Sequence, residues 1–223
     1  MRLVRPTIAL AATASLLAGV SAQALTKPKP VCNLVTDAAG DANDPSGFFT
    51  AFGGPNPEPN NAQTDILGGD FAVDAKTVTA TIKLAAAPGL DPESPQGDYY
   101  YFIFQPTGAA NRVYLSARTN LGGAPSFEAG SIIHDATTGD NYTPNTAVPV
   151  KGKLDGTTFS VTATLADFKA LATIKSKNKI TALEIQSFGV LDAQATGLLL
   201  GGDDATADKP YLAGTPSCVK PVV

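Results

Sequence analysis

The sequence predicts an all-β chain, an antiparallel β-sandwich of jelly-roll type with one short helix. Three observations point there. Several segments alternate apolar and polar residues with a period of two, the mark of half-buried antiparallel strands. These segments follow one another without the helical stretches that parallel βαβ units need. Glycine (21) and proline (17) are frequent among the 223 residues, so many turns are expected and long helices are not. Apolar residues make up 43% of the chain, with a mean hydropathy of +0.05. That is enough to bury a core and excludes disorder throughout.

The elements run as follows. Met1–Ala24 reads as a secretory leader: Arg2 and Arg5 precede the apolar run Ile8–Val20, and Ala22-Gln23-Ala24 has the small-x-small form of a cleavage site. The apolar run is too short to cross ~30 Å of hydrocarbon, and no later segment is long and apolar enough to span. Leu25–Pro30 is a flexible lead-in, and residues 31–223 form a single domain. Val31–Thr36 and Asp65–Val73 are strand candidates. In Thr77–Leu84, Val78, Ala80, Ile82 and Leu84 face one way and Thr77, Thr79, Thr81 and Lys83 the other. Tyr99–Phe104 is apolar on both faces, as a central strand covered on both sides is. In Asn111–Arg118, Val113, Leu115 and Ala117 alternate with Arg112, Tyr114, Ser116 and Arg118. Ser126–Ile133, Ala147–Lys151 and Gly197–Leu200 are shorter candidates. In Thr158–Leu165, Phe159, Val161, Ala163 and Leu165 point inward. Ala166–Ile174 is the expected helix, with Phe168, Leu171 and Ala172 on one face. Lys179–Phe188 is a further strand with Leu183 and Ile185 inward. Asp155-Gly156, Gly122-Gly123 and Thr138-Gly139-Asp140 mark turns.

Two cysteines, Cys32 and Cys218, stand near the two ends of the chain. In an exported protein an even pair reads as a disulfide, against the alternative of two unrelated thiols. Such a bond brings the first and last strands together. The formal charge is −4, and it becomes more negative once Arg2 and Arg5 leave with the leader. On average such a surface repels phosphate, which argues against nucleic acid and anionic lipid as partners.

Acidic residues bunch beside glycine in two places, Asp37 to Asp44 after the first cysteine and Asp203 to Asp208 before the last. Carboxylates in that setting suit Ca²⁺, a hard ion that takes oxygen ligands. Asp37, Asp41, Asp65, Asp203 and Asp204 are the candidate ligands, with Asp70 able to add an oxygen. The other reading is solvated turn acids. His134 is the sole histidine. It has Ser131 and Asp135 nearby but no Gly-x-Ser-x-Gly elbow, so a nucleophilic relay has no support. Multi-histidine zinc sites are excluded, as are nucleotide loops of the GxGxxG or Walker type. A pair of carboxylates for glycoside hydrolysis can be drawn from 20 acids, but nothing selects one. The sequon Asn141-Tyr142-Thr143 carries meaning only in a eukaryotic secretory route.

Sugar sites offer aromatic rings as stacking platforms. The chain has no tryptophan and six tyrosines. Tyr114, among Arg112, Ser116 and Arg118 on the polar side of its strand, is the candidate exposed ring. Tyr99 and Tyr101 share one side of their strand. Asp41–Gln63 is a long turn-rich loop carrying Phe48, Phe49 and Phe52, which form either a binding lip or a plug for the open end of the sandwich.

The succession Asp37-x-x-Gly40-Asp41, Thr64-Asp65-Ile66-Leu67, the period-two strand Thr77–Leu84, Phe159–Leu165 before a short helix, Ser187-Phe188-Gly189 and Asp203-Asp204-Ala205 spans most of the chain after the leader. In this order it resembles the DOMON-like β-sandwich group, which includes the family-nine carbohydrate-binding modules. The resemblance implies a jelly-roll sandwich, a structural calcium ion near the paired termini and a ligand face on the concave sheet. It carries a metal role to Asp37, Asp41 and Asp65. The chain lacks the paired tryptophans of sugar-binding relatives, and lacks the methionine–histidine pair of haem-binding ones once Met1 is removed.

The sequence therefore leads to the expectation of a secreted, non-catalytic binding module with a glycan as ligand and Ca²⁺ as structural ion. The alternative is a structural or adhesive protein that contacts other extracellular proteins through the Phe48–Phe52 loop, and the third reading is a carboxylate hydrolase.

Overall fold

A computed structural model describes residues 29–42, 60–89, 97–120, 123–135, 139–142, 147–167, 169–192 and 198–223. The leader Met1–Ala24, most of the lead-in, and Phe48, Phe49 and Phe52 lie outside the described residues. No helix among the described residues is long and apolar enough to cross a membrane.

The described residues form strands β1 (Val35–Thr36), β2 (Ile66–Val73), β3 (Thr77–Leu84), β4 (Asp98–Pro106), β5 (Arg112–Asn120), β6 (Gly123–Asp135), β7 (Gly139–Tyr142), β8 (Val148–Pro149), β9 (Lys151–Asp155), β10 (Thr158–Thr164), β11 (Lys179–Asp192), β12 (Leu198–Thr206) and β13 (Tyr211–Leu212). A smaller sheet has the order β1-β2-β3-β10-β9. A larger one runs β12-β11-β4-β5-β6-β7, with β13 also pairing β11 and β8 pairing β6. All these pairings are antiparallel. The chain is an all-β sandwich of two sheets, as the alternation predicts.

The inner faces follow from that alternation. Val78, Ala80, Ile82 and Leu84 of β3 are buried, with Phe159, Val161 and Ala163 of β10, against Tyr100, Phe102 and Phe104 of β4 and Val113, Leu115 and Ala117 of β5. Phe71 of β2 centres this core, its ring 5.4 Å from Phe102, 4.8 Å from Phe104 and 5.4 Å from Tyr211. Each of the larger apolar side chains contributes about 1.5–3 kcal/mol by leaving water. On β11 the phase must change, because Ile180 and Leu183 cannot share a face at period two. A bulge between Thr181 and Glu184, with Ala182 at φ 49°, makes the change. Leu183 and Ile185 then both point inward.

Several expectations are corrected. The helix over Ala166–Ile174 shrinks to a single 3-10 turn at Leu171–Thr173; its one buried residue, Leu171, plugs the core without an apolar helix face to lengthen it. Phe168, part of that expected face, lies outside the described residues. The single candidate Ala147–Lys151 splits at Val150 into β8 and β9, which belong to different sheets. The turn expected at Gly139-Asp140 begins β7. Of the candidate Gly197–Leu200, Leu198–Leu200 starts a longer strand and Gly197 lies outside the described residues, so Asp203 and Asp204 lie on β12 rather than in a loop.

Cys32 and Cys218 stand at disulfide distance, their Cα atoms 5.3 Å apart. Beside them the backbone forms a parallel bridge between Val31 and Ser217. The two ends of the domain therefore lie together.

Candidate functional site

Two groups of side chains stand apart from the core. The first is at the end of the sandwich where β1 leaves and β2 and β12 meet. Register determines it. Thr36 pairs with Gly68, so the following Asp37 N–H donates to Leu67 O (3.3 Å) and Asp37 lands beside the start of β2. Asp203 pairs with Ser187 on β11, and its Oδ2 accepts the Ile66 N–H at 2.7 Å. This carboxylate thus crosses from the larger sheet to cap the first residue of β2, while the Ser187 hydroxyl donates to Thr64 O. Asp65, 1% exposed, orders the loop above: its Oδ2 accepts the Gly40 N–H (2.7 Å) and the Asn60 amide (3.2 Å).

Asp37, Asp41 and Asp203 each place a carboxylate oxygen within 4.8 Å of the others. Asp37 Oδ2 and Asp65 Oδ1 are buried and accept no hydrogen bond. Buried acceptors left in that condition are costly, and a bound cation is one way to satisfy them. Burial raises the Asp203 carboxyl to about 7, and the charges of Asp37 and Asp41 push the same way against its two backbone hydrogen bonds. Burial also raises Asp37, with Asp41, Asp204 and Asp65 adding repulsion. An all-oxygen donor set under mutual repulsion fits a hard divalent cation.

Of the five expected ligands, Asp37, Asp41 and Asp203 converge and Asp65 borders them. Asp204 faces the opposite side of β12, as neighbours on a strand do. It is exposed, and it supplies its N–H to Asp203 Oδ1 at 2.8 Å. Asp70 does not join: its Oδ1 accepts the Leu34 N–H at 3.0 Å.

The second group lies on the outer face of the larger sheet. Cross-strand register aligns Phe188, Tyr99, Arg118 and Ser126 in one row over β11, β4, β5 and β6, and Gln186, Tyr101, Ser116 and Glu128 in the next. The rings of Tyr99, Tyr101 and Phe188 lie within 18° of parallel, with centroids 5.6–6.2 Å apart. The Arg118 guanidinium sits 4.7 Å from the centre of the Tyr99 ring. Tyr99, Tyr101, Tyr114, Ser116, Arg118, Ser126 and Glu128 enclose a cleft of about 340 Å³. Burial raises the Tyr99 phenol, with Arg118 lowering it and Glu128 raising it, so both charges act at the ring.

The expectation of an exposed Tyr114 is corrected. Its side chain is 1% exposed, packed edge-on to Tyr101 with centroids 5.0 Å apart, and its hydroxyl donates to Glu128 Oε1 at 3.3 Å. It lies across Gly130, where a Cβ would overlap its ring and hydroxyl. Tyr114 is floor, and Tyr99 is the half-exposed ring. Sequence reasoning missed Tyr99, Phe188, Arg118 and Glu128 as a group, although the shared side of Tyr99 and Tyr101 was its visible part. His134 is on β6 and pairs with Asp140, and Asn141 and Tyr142 of the sequon lie on β7; the side chains of His134 and Asn141, and Thr143, lie outside what is described.

No protein-family model matches this chain, no curated protein matches it, and no solved structure matches it.

Proposed function

We propose that the protein is a secreted binding module that takes a glycan in the cleft on the outer face of the larger sheet, with a calcium ion at the acidic end holding the two sheets together. The Tyr99 ring, half-exposed in the wall of the cleft and braced by Tyr101 and Phe188, carries this reading. A pyranose has apolar C–H faces and a rim of hydroxyls. Tyr99 offers the apolar surface, and Arg118, Glu128, Ser116 and Ser126 offer donors and acceptors around it. Binding is favoured over hydrolysis because glycosidases need two carboxyl groups flanking the bond, and Glu128 is the sole acid among the described residues that line the cleft. Export is supported by the leader-like Met1–Ala24 and by the disulfide pair.

A glycan array followed by titration of the best ligand tests the cleft. Tyr99→Ala is expected to weaken binding at least about tenfold, the loss of one stacking contact, while the melting temperature stays near that of the parent. Unchanged affinity in this variant overturns the assignment of the cleft. The calcium site is tested by melting in Ca²⁺ and in chelator. A ligand present at 100 times its Kd adds about 2.7 kcal/mol, so calcium is expected to raise the melting temperature by several degrees. The rise disappears in Asp37→Asn/Asp203→Asn. Identical melting in calcium and chelator removes the ion from the proposal and leaves the cleft untouched.

A further inference from the structure

The end of the sandwich opposite the acidic cluster has a different character. Lys175, Lys177, Lys179 and Lys209 are all exposed, and the backbone gathers them. Lys175 and Asn178 close a turn, with the Lys175 N–H on Asn178 Oδ1 at 2.5 Å and the Asn178 N–H on Lys175 O at 3.0 Å. The Lys177 N–H donates to Ala213 O (2.8 Å) and the Ala213 N–H to Asn178 O (2.9 Å), which ties that turn to β13. Lys179 pairs with Leu212 of β13, and Lys209 lies in the short connection that leads into β13. Between β11 and this connection is a pocket of about 220 Å³ whose lining includes Lys179, Thr181, Ala182, Leu183, Asp208 and Lys209. It sits at the bulge where Ala182 holds a left-handed φ of 49° without being glycine, and bulges of this kind re-aim side chains beside functional sites.

We infer that this pocket, lined by Lys179 and Lys209 and with Lys175 and Lys177 in the adjoining turn, is a second binding site, for the charged groups of an anionic polysaccharide. The negative charge of the whole chain does not decide the matter, because distance does. On β11 the pocket begins at Lys179, and Ser187, which pairs with Asp203, is eight residues further on. At ~3.3 Å per residue that is ~26 Å, about three Debye lengths at physiological salt. The acidic end is therefore screened from an anion at the lysines. Asp208 is the opposing group at the pocket. Glu184, two residues past Ala182 on β11, is balanced by Arg112 at 2.7 Å. Asp74 and Asp167 keep their charge but are fixed by backbone N–H groups of their own turns, Asp167 by Thr164 (2.8 Å) and Asp74 by Lys76 and Thr77 (2.7 Å each). Lysine ammonium groups are point charges that accept sulfate or carboxylate alike. Among the residues lining the pocket there is no aromatic ring on which a nucleobase could stack, which favours a polysaccharide over nucleic acid.

The test is calorimetric titration of the whole protein with a sulfated and with a uronic-acid polysaccharide, at low and physiological salt. Lys179→Glu/Lys209→Glu is expected to weaken binding at least about tenfold and to flatten its salt dependence. Asp208→Asn is expected to tighten it. Lys151→Glu/Lys153→Glu, on the remote edge strand β9, makes the same change in net charge and is expected to leave affinity within about twofold. The two polysaccharides distinguish sulfate from carboxylate as the preferred group. No binding to either at low salt, equal losses in both lysine pairs, or tighter binding of single-stranded DNA than of either polysaccharide overturns the inference. Tyr99→Ala leaves this binding intact if the two sites are separate, so its failure and that of the cleft are read independently.

Discussion

The two sheets have the same inside and different outsides. Both bury a period-two row of apolar residues, Val78 to Leu84 in the smaller and Tyr100 to Phe104 in the larger. On the smaller sheet the outer row is Thr77, Thr79, Thr81 and Lys83, in register with Thr164, Thr162, Ser160 and Thr158. The central hydroxyls of Thr79 and Thr162 pair at 3.0 Å, and the chain's own end covers them, the Val222 N–H donating to Thr162 Oγ1 at 3.0 Å. On the larger sheet the outer row carries Tyr99, Tyr101, Ile103 and Tyr114, a second apolar cluster with Ile132. The inner faces show that the chain folds as a sandwich. The outer faces show that one sheet satisfies its polar groups locally and the other presents rings, charges and a cleft.

The comparison breaks most completely at the shared interior. Phe71→Ala removes the ring on which Phe102, Phe104 and Tyr211 converge and is expected to cost about 3–5 kcal/mol in urea unfolding. Because both sheets lose the same partner, the loss is expected in one cooperative transition. Two separated transitions show instead that the sheets are stabilised independently.

A smaller change separates the outer faces. Gly130→Ala forces the Tyr114 ring off β6 and is expected to cost about 1–3 kcal/mol and to abolish binding in the cleft. Lys83→Ala, exposed on the polar face of the smaller sheet, is expected to stay within about 0.5 kcal/mol. Equal effects of the two variants on stability and binding contradict the distinction drawn between the sheets.

A further effect, and the one with a sign to check, is pH. In chelator the Asp203 carboxyl is raised to about 7 and Asp37 is raised as well, from an ordinary value of 3.8. Acids raised by folding are held more easily when protonated. Stability from this end is therefore full below about 4, declines as pH rises from about 4 to about 7, and is level above. Asp74 has the opposite sign: burial raises it, but the N–H groups of Lys76 and Thr77 and the Thr77 hydroxyl outweigh burial and lower it. Its contribution is present above about 3.8 and is lost as pH falls below that. Melting measured from pH 5 to 8 in chelator is expected to fall, and Asp203→Asn to flatten the slope. A rising slope in the parent contradicts the burial of Asp203 and Asp37 beside the other carboxylates.

The inward faces of β3, β5 and β10 were legible in the sequence because alternation is a local property of a strand. Asp37, Asp41 and Asp203 were legible as carboxylates beside glycine. Their convergence was not, since it depends on Thr36 pairing with Gly68 and Asp203 with Ser187. Tyr114 was misjudged for a related reason. Alternation placed it correctly on the outer side of β5, but its burial follows from Gly130 opposite it on β6, a residue 16 positions away. The cleft needed four strands in register before Phe188, Tyr99 and Arg118 became one row.

By itself the sequence determined the β class, the inward residues of the strong strands and the pairing of the two cysteines, because periodicity and side-chain chemistry are written into neighbouring positions. Tertiary structure decided the rest: which acids meet, which tyrosine is floor and which is wall, and that four lysines gather far from the Asp37, Asp41 and Asp203 cluster. Strand register and sheet order set those placements. Both arise from the joint packing of residues far apart in the chain, where no local pattern records them.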